Sequence, residues 1–182
     1  MTKNLMTKIY VLRHEKRDIK NPLFHSPLLK EGKEDAEKLK YLIEKLNIDI
    51  IFSSPFIRVL QTIEPYCVYK NKKVNIDFSL YEHISKDFDE KDFKFGLNNI
   101  TYYSPIINYD YKSFGSLDNV EYDSYDCVKK NVNEFKKYLL DNYKNKNILL
   151  VTHLGVINAF LNNNDKYKMG SLINVSNNEI LN

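Results

Sequence analysis

The sequence predicts an α/β protein: a three-layer sandwich with a mostly parallel central sheet and helices on both faces. Short runs of continuous apolar residues, typical of fully buried strands, alternate along the chain with longer segments that have the periodicity of amphipathic helices. The 182 residues are enough to bury a substantial core. No internal repeat or interdomain linker is visible, so a single domain over residues 1–182 is expected.

The first half of the chain contains strand-like runs that are separated by helical patterns. The predicted strands cover residues 9–12 and 48–54, and a third begins at residue 74. Apolar residues at helical spacing predict a helix over residues 29–46. A second helix is expected over residues 56–70, with a kink or break at Pro65, because proline donates no backbone hydrogen bond.

The second half continues the same alternation after a segment of a different kind. Residues 84–120 show no clear period and many aromatics, so they are interpreted as an insertion or lid that closes over the sheet edge or packs against it. Beyond it, the pattern predicts a long helix over 124–143, a strand over 146–155, a short helix over 155–161 and a terminal hairpin or strand over 171–182.

Composition argues against several classes of partner. The net charge of +3 comes from interspersed lysines and acids, with no basic block for nucleic acid. No apolar run is long enough for a signal peptide or a membrane helix, so no membrane partner is expected. Cys67 and Cys127 have no CxxC spacing and are interpreted as reduced thiols of a cytoplasmic protein.

Polar side chains lie at or just past the carboxyl ends of three predicted strands. They are Arg13 and His14, then Ser53 and Ser54 with Arg58 a helical turn beyond, and finally Thr152 and His153. In a parallel sheet with helices on both faces, ligands bind outside the carboxyl ends of the strands. These residues are therefore expected to converge on one site.

The arginines indicate what that site binds. Of the 27 basic residues, only Arg13, Arg17 and Arg58 are arginine, the residue type that offers a planar, bidentate donor. Guanidinium groups beside two histidines suit a phosphoryl group, because they neutralise its oxygens while a neutral imidazole attacks the phosphorus. Glu82, after the third strand, is the best candidate for the proton donor, and the alternatives are Asp87, Asp89 and Glu90.

Segments of the chain also resemble, in the right order, the motifs of the histidine phosphatase superfamily, which has the phosphoglycerate mutase-like fold. LRHEKR resembles its RHG/RHA signature, and the other matching segments are SPLLKEGKEDAEKL, IIFSSPFIRVLQTIEP, LYEH and ILLVTHLGVI. The resemblance does not cover residues 84–120. Four positions depart from the family pattern: Glu15 stands where many members have glycine, Arg17 replaces the usual serine or threonine, Lys20 stands where an asparagine often binds phosphate, and Leu29 replaces a helix-capping threonine.

The resemblance implies a role for each candidate residue. His14 would be the nucleophile that becomes phosphohistidine, and Arg13, Arg58 and His153 would bind the phosphate. Glu82 would protonate the leaving group and then accept a proton from the attacking water. Arg17 would be either a third phosphate-binding arginine or a surface charge.

The expected activity is that of a phosphomonoesterase acting on a phosphorylated small molecule or a phosphoprotein, without cofactor. No metal is expected, because neither an H-x-x-x-H nor an H-x-E pairing occurs, and His25 and His83 are interpreted as loop residues. Two alternatives remain: a phosphoglycerate-type mutase, and a weakly catalytic phosphate-binding module. The sequence predicts no particular oligomeric state.

Overall fold

The computed structural model describes residues 6–20, 26–82, 102–103, 105–116 and 124–182. The strands are Lys8–Arg13 (β1), Ile50–Ser53 (β2), Val74–Ile76 (β3), Asn147–Thr152 (β4), Leu172–Asn174 (β5) and Glu179–Ile180 (β6). They form one sheet in the order β3-β2-β4-β1-β5-β6. Strands β1 to β4 are parallel, whereas β5 and β6 are antiparallel to their neighbours. The predicted mostly parallel sheet is confirmed.

Helices cover both faces of this sheet. They are Lys30–Glu44 (α1), Ile57–Lys70 (α2), Tyr125–Asn142 (α3) and Leu154–Leu161 (α4). Side chains alternate across each strand, so Leu12 of β1 packs in the core with α1 and α2, whereas Val11 packs in the core with α3 and α4. Apolar residues at successive positions are thus buried on both faces, which explains the continuous apolar runs.

Helix α2 contains Pro65, where a kink or a break was expected. The helix continues through this proline and ends at Lys70, so it does not break. Its neighbours Ile63, Tyr66 and Cys67 are buried in the core. This packing holds the helix together despite the missing hydrogen bond, a defect that costs about 3 kcal/mol in an isolated helix.

The start of α1 is held by backbone contacts and not by a side-chain cap. Leu29 makes no side-chain capping bond, but its N–H donates to the carbonyl of Lys16 at 2.9 Å. Gly32 lies so close to the same carbonyl that a Cβ there would be 2.3 Å from the oxygen. The first turn of α1 therefore packs directly on the segment that follows His14.

The described part of residues 84–120 packs against the edge of the sheet. Ile107 forms a parallel bridge with Val74 of β3, and Asn108 N–H donates to the Val74 carbonyl at 2.9 Å. Tyr103 and Ile106 are buried in the core. Phe88, Phe93 and Phe95 lie outside the described residues. In the described ranges, no helix is long and apolar enough to cross a membrane.

Candidate active site

The two histidines meet because they follow adjacent parallel strands. Arg13 ends β1 and Thr152 ends β4, and these two residues are paired in the strand register. The next residues, His14 and His153, therefore lie side by side, with ring centroids 5.4 Å apart and ring planes at 64°. Arg58 joins them from the first turn of α2, the helix that follows β2.

His14 is buried, and its hydrogen bonding defines its tautomer. Its Nδ1 lies 2.8 Å from the backbone carbonyl oxygen of Glu15, which can only accept a hydrogen bond. Nδ1 therefore carries the proton in the neutral ring, and Nε2 keeps its lone pair. Burial lowers the pKa of His14 well below its usual value, and the nearby His153 and Arg58 lower it further. The ring is thus neutral and nucleophilic near pH 7.

Thr62 connects the backbone beside His14 to helix α2. The N–H of Glu15 donates to the Thr62 hydroxyl at 3.0 Å, and the hydroxyl donates to the Arg58 carbonyl at 2.8 Å. The hydroxyl is buried, so both hydrogen bonds are made within the protein. Thr62 thereby anchors the backbone of Glu15, the residue whose carbonyl meets the His14 ring.

Two guanidinium groups lie next to the histidines. Arg58 is 1% exposed, and its side chain packs over the Phe56 ring at 4.5 Å. Burial lowers the pKa of Arg58 to about 10, so it remains charged at neutral pH. Arg13 donates from Nη1 to the Tyr167 carbonyl, and its buried Nε has no hydrogen-bond partner among the described residues. Both arginines can donate to an anion.

Glu82 lies in contact with His153 and Arg58. Its Oε2 is 3.0 Å from Nδ1 of His153 and 3.5 Å from Nη2 of Arg58. On the other side of the His153 ring, Nε2 lies 2.9 Å from Oγ of Ser54. A neutral His153 that donates from Nδ1 to the Glu82 carboxylate accepts at Nε2 from the Ser54 hydroxyl. The site therefore contains a chain of hydrogen bonds from Ser54 to Glu82.

Burial and neighbouring charges together set the protonation of the groups in this hydrogen-bonded chain. Burial lowers the pKa of His153 to about 4, although Glu82 opposes the shift, so the ring is neutral at pH 7. Burial alone would raise the pKa of Glu82, but interactions with His153, Arg58 and His14 outweigh it and lower the pKa to about 2. Without a ligand, Glu82 is an ionised carboxylate.

Arg17 lies close to the other two arginines. It is half-buried, its backbone forms a bridge with Leu28, and its Nη1 donates to Oγ of Ser26 at 3.1 Å. Burial lowers the pKa of both Arg13 and Arg58, and the positive charge of Arg17 lowers both further, whereas Glu82 opposes these shifts. This location favours a phosphate-binding role over that of an isolated surface charge.

The ligand atoms of His14, Glu82 and His153 lie within 4.8 Å of one another, a spacing that could hold a metal ion. The guanidinium of Arg58 is only 3.3 Å from His153 and 3.5 Å from Glu82. Its positive charge opposes a bound cation at this point and favours an anion. Arg13 and Arg58 together carry more positive charge than the single carboxylate of Glu82 neutralises, which suits a phosphate group.

A family model for branch 1 of the histidine phosphatase superfamily matches residues 9–179. The chain belongs to this superfamily. A search of curated proteins found no significant match. The sequence motifs that suggested the family therefore agree with a match over nearly the whole chain, including the stretch that the motifs did not cover.

Solved structures of other proteins share the fold. The ecdysone phosphate phosphatase of Bombix mori superposes with a TM-score of 0.66 at 12% identity, covering 91% of this chain and 87% of that one. A mycobacterial glucosyl-3-phosphoglycerate phosphatase has a TM-score of 0.64 at 16% identity, with coverages of 92% and 88%. The phosphoserine phosphatase of Entamoeba histolytica has a TM-score of 0.63 at 19% identity, with coverages of 93% and 90%.

The chain accommodates Glu15 by a close contact with a glycine. The Glu15 side chain is 4% exposed, and burial raises the pKa of its carboxyl. A Cβ added to Gly170 would lie 2.1 Å from its Oε1, so only glycine fits there. Gly170 also has a positive φ of 78°. The Glu15 side chain therefore packs against Gly170, while its backbone carbonyl meets His14.

Several candidates from the sequence lie outside the described residues. They are the alternative acids Asp87, Asp89 and Glu90 and the histidines His25 and His83. The sequence reasoning assigned no role to Thr62, although Thr62 lies in the segment IIFSSPFIRVLQTIEP, which resembles a family motif. It also overlooked the backbone carbonyl of Glu15, because every residue has a carbonyl and no sequence pattern marks one as functional.

Proposed function

We propose that the protein hydrolyses phosphate monoesters through a phosphohistidine intermediate at His14. The state of His14 carries this proposal: the buried ring is neutral, donates from Nδ1 to the Glu15 carbonyl and presents Nε2 beside Arg58 and His153. A neutral imidazole next to fixed positive charge is what attack on a phosphate ester requires.

In the first step, Arg13, Arg58 and His153 bind the phosphate oxygens, with Arg17 as a third guanidinium donor. Nε2 of His14 attacks the phosphorus and forms an N–P bond. The P–O bond to the alcohol breaks, and the departing oxygen takes a proton from Glu82. The guanidiniums stabilise the charge that builds up on the phosphoryl oxygens during the transfer.

Substrate binding prepares Glu82 for this role. In the ligand-free site, hydrogen bonds and charges of His153 and Arg58 keep the carboxyl ionised. The phosphate group of the substrate competes for both of these partners and adds negative charge nearby. Both effects raise the pKa of Glu82, so the protonated form becomes accessible in the complex.

In the second step, a water molecule attacks the phosphohistidine. Glu82, now a carboxylate, accepts a proton from the water, the N–P bond breaks and inorganic phosphate leaves. The same group thus acts first as acid and then as base, and the enzyme returns to its starting state.

We propose a phosphorylated small molecule as the substrate. The names of the similar structures support this choice, since they describe phosphatases of ecdysone phosphate, glucosyl-3-phosphoglycerate and phosphoserine. They also support hydrolysis over the mutase alternative. Because those alcohols differ in size and charge, they do not single out one substrate for this chain.

The test is hydrolysis of p-nitrophenyl phosphate, with and without a chelator. We expect activity that a chelator leaves unchanged and that vanadate inhibits. Brief mixing with labelled substrate followed by quenching should leave an acid-labile, base-stable phosphoenzyme. Loss of activity on chelation with recovery on adding a divalent ion would contradict the proposal, and so would inactivity towards a panel of phosphate esters.

A further inference from the structure

A buried carboxylate lies just before the turn that leads to Glu82. Asp77 is 0% exposed, and its two oxygens accept hydrogen bonds from four donors. Oδ1 accepts from Ser79 N at 2.9 Å and Gly115 N at 3.3 Å, and Oδ2 accepts from Tyr111 Oη at 2.5 Å and Phe114 N at 2.8 Å. No ion pair links Asp77 to a lysine or arginine of the described chain, so these hydrogen bonds offset its burial.

Three of the donors belong to one short segment, residues 111–115, which we call the clasp. The clasp lies directly on the turn Phe78–Leu80. Ser113 Oγ accepts from Phe78 N at 2.9 Å, and a Cβ added to Gly115 would lie 2.4 Å from Ser79 N. Clasp and turn are thus in contact through their backbones, with Asp77 joining them.

The turn has few ways to move once the clasp is bound. Asp77 N–H donates to the Ser53 carbonyl at 3.0 Å, which anchors the start of the turn to β2. The Leu80 carbonyl accepts from Thr152 Oγ1 at 2.8 Å, in the residue before His153. Tyr81 packs on Phe56 with ring centroids 4.9 Å apart. Glu82 is the next residue, so its position follows from these contacts.

We propose that Asp77 is a positioning residue for the acid step, and that it acts by holding the clasp against the turn. This fixes the Glu82 carboxyl where it meets His153 and the leaving oxygen. The inference rests on the proposed function, because it assumes that Glu82 protonates the leaving group. It goes further in assigning part of residues 84–120 to catalysis, through a charge that does not itself touch the substrate.

Directional hydrogen bonds suit this role better than apolar packing does. A buried carboxylate with four donors around it allows only a narrow range of geometries, whereas apolar side chains can slide. Accuracy matters here because a misplacement of about 1 Å at a reacting group can cost on the order of 10²-fold in rate. Loss of one donor should therefore affect the proton transfer more than it affects the attack by His14.

The discriminating variant is Tyr111→Phe, with Tyr143→Phe as its matched control. Both rings contact Phe52 with centroids 5.5 Å apart, but only the Tyr111 hydroxyl donates to Asp77, whereas the Tyr143 hydroxyl pairs with Tyr138. The readout is kcat/KM for an alkyl phosphate, whose leaving oxygen needs a proton, against that for p-nitrophenyl phosphate, whose leaving oxygen needs little.

We expect Tyr111→Phe to lower kcat/KM for the alkyl ester about tenfold and to change kcat/KM for the nitrophenyl ester about twofold or less. Tyr143→Phe should leave unchanged the ratio of kcat/KM for the alkyl ester to kcat/KM for the nitrophenyl ester. Gly115→Ala, which pushes a methyl group into the turn, should lower this ratio, as Tyr111→Phe does. A folding check by circular dichroism accompanies each variant, and Tyr111→Phe alone decides the question if Gly115→Ala does not fold.

The outcomes separate this inference from the proposed function. If the wild type is inactive on both esters, the proposed function fails and this inference fails with it. In a second outcome, the wild type is active and Glu82→Gln selectively lowers kcat/KM for the alkyl ester. If Tyr111→Phe then lowers kcat/KM for both esters equally, or for neither, only the positioning role of Asp77 is overturned. Equal loss would mean that Asp77 only stabilises the fold.

Discussion

The two sides of the site are built in different ways. On the phosphate side, Arg13, His14 and His153 follow directly from the ends of β1 and β4. On the leaving-group side, Glu82 follows a short turn whose anchor, Asp77, is bonded to Tyr111, 34 residues further along the chain. On the phosphate side, the register of the sheet alone places these residues. On the leaving-group side, the position of Glu82 depends on side-chain hydrogen bonds between segments that are distant in the sequence.

The two sides also differ in how far they are withdrawn from solvent. Arg58 and His153 are at most 1% exposed, whereas the side chain of Glu82 is 21% exposed. The buried groups are held in one geometry by the core. Glu82 is partly open to solvent, and in the proposed mechanism it is the group whose charge changes during the reaction. We therefore expect variants of the phosphate side to affect all substrates and variants of the acid side to affect them selectively.

The largest effect should come from His14→Ala. Removal of the nucleophile abolishes the covalent route, so kcat should fall by at least about 10³-fold for every ester, with no phosphoenzyme after quenching. His25→Ala is a suitable control, because the sequence assigns His25 to a loop and not to the site. A fully active His14→Ala enzyme would refute the mechanism.

The acid side should respond selectively. Glu82→Gln cannot donate a carboxyl proton, so kcat for an alkyl phosphate should fall by about 10²–10³-fold, a normal range for loss of general acid catalysis. For p-nitrophenyl phosphate the fall should be much smaller. Equal losses for both esters would show that Glu82 is not the acid, and Asp87, Asp89 and Glu90 would be the next residues to replace.

Arg58→Lys tests whether the phosphate side needs geometry or only charge. Lysine keeps the charge but cannot form a planar pair of hydrogen bonds, so we expect a loss of about 2–4 kcal/mol of transition-state stabilisation for both esters. Arg17→Ala provides the comparison within the same side. A fall in kcat similar to that of Arg58→Lys would place Arg17 on the phosphate, whereas a raised KM with nearly unchanged kcat would place it at the rim.

The smallest expected effect concerns the pH dependence of kcat/KM. Burial, with His153 and Arg58, lowers the pKa of His14, so the acid limb of kcat/KM should lie well below pH 6.5. Glu82 is already ionised in the free enzyme, so the proton for the leaving group must arrive with the substrate, which loses its second proton near pH 6. The result is a bell-shaped profile whose maximum lies between these two limbs, on the acidic side of neutrality.

Glu82→Gln should remove the basic limb of this profile and leave the acid limb in place. An acid limb near the ordinary histidine pKa of about 6.5 would contradict a buried, neutral His14. The profile is measured as phosphate released from an alkyl phosphate in stopped assays, because p-nitrophenyl phosphate needs little protonation of its leaving oxygen and would not show the basic limb.

Much of the fold and of the phosphate side could be predicted from the sequence. The continuous apolar runs indicated strands buried on both faces, and the polar residues directly after them indicated the carboxyl edge of a parallel sheet. A kink or a break was expected at Pro65, and the break does not occur, because local propensity takes no account of the packing of Ile63, Tyr66 and Cys67 against the core.

The sequence by itself determined which residues could bind and attack a phosphate, because strand ends of a parallel sheet meet at one edge whatever the loops do. Only the tertiary structure decided the state of those groups. The proton on His14 Nδ1 depends on a backbone carbonyl, the charge of Glu82 depends on how near His153 and Arg58 lie, and the clasp depends on Asp77 meeting Tyr111. Burial and distance set these properties, and neither can be read from the order of residues along the chain.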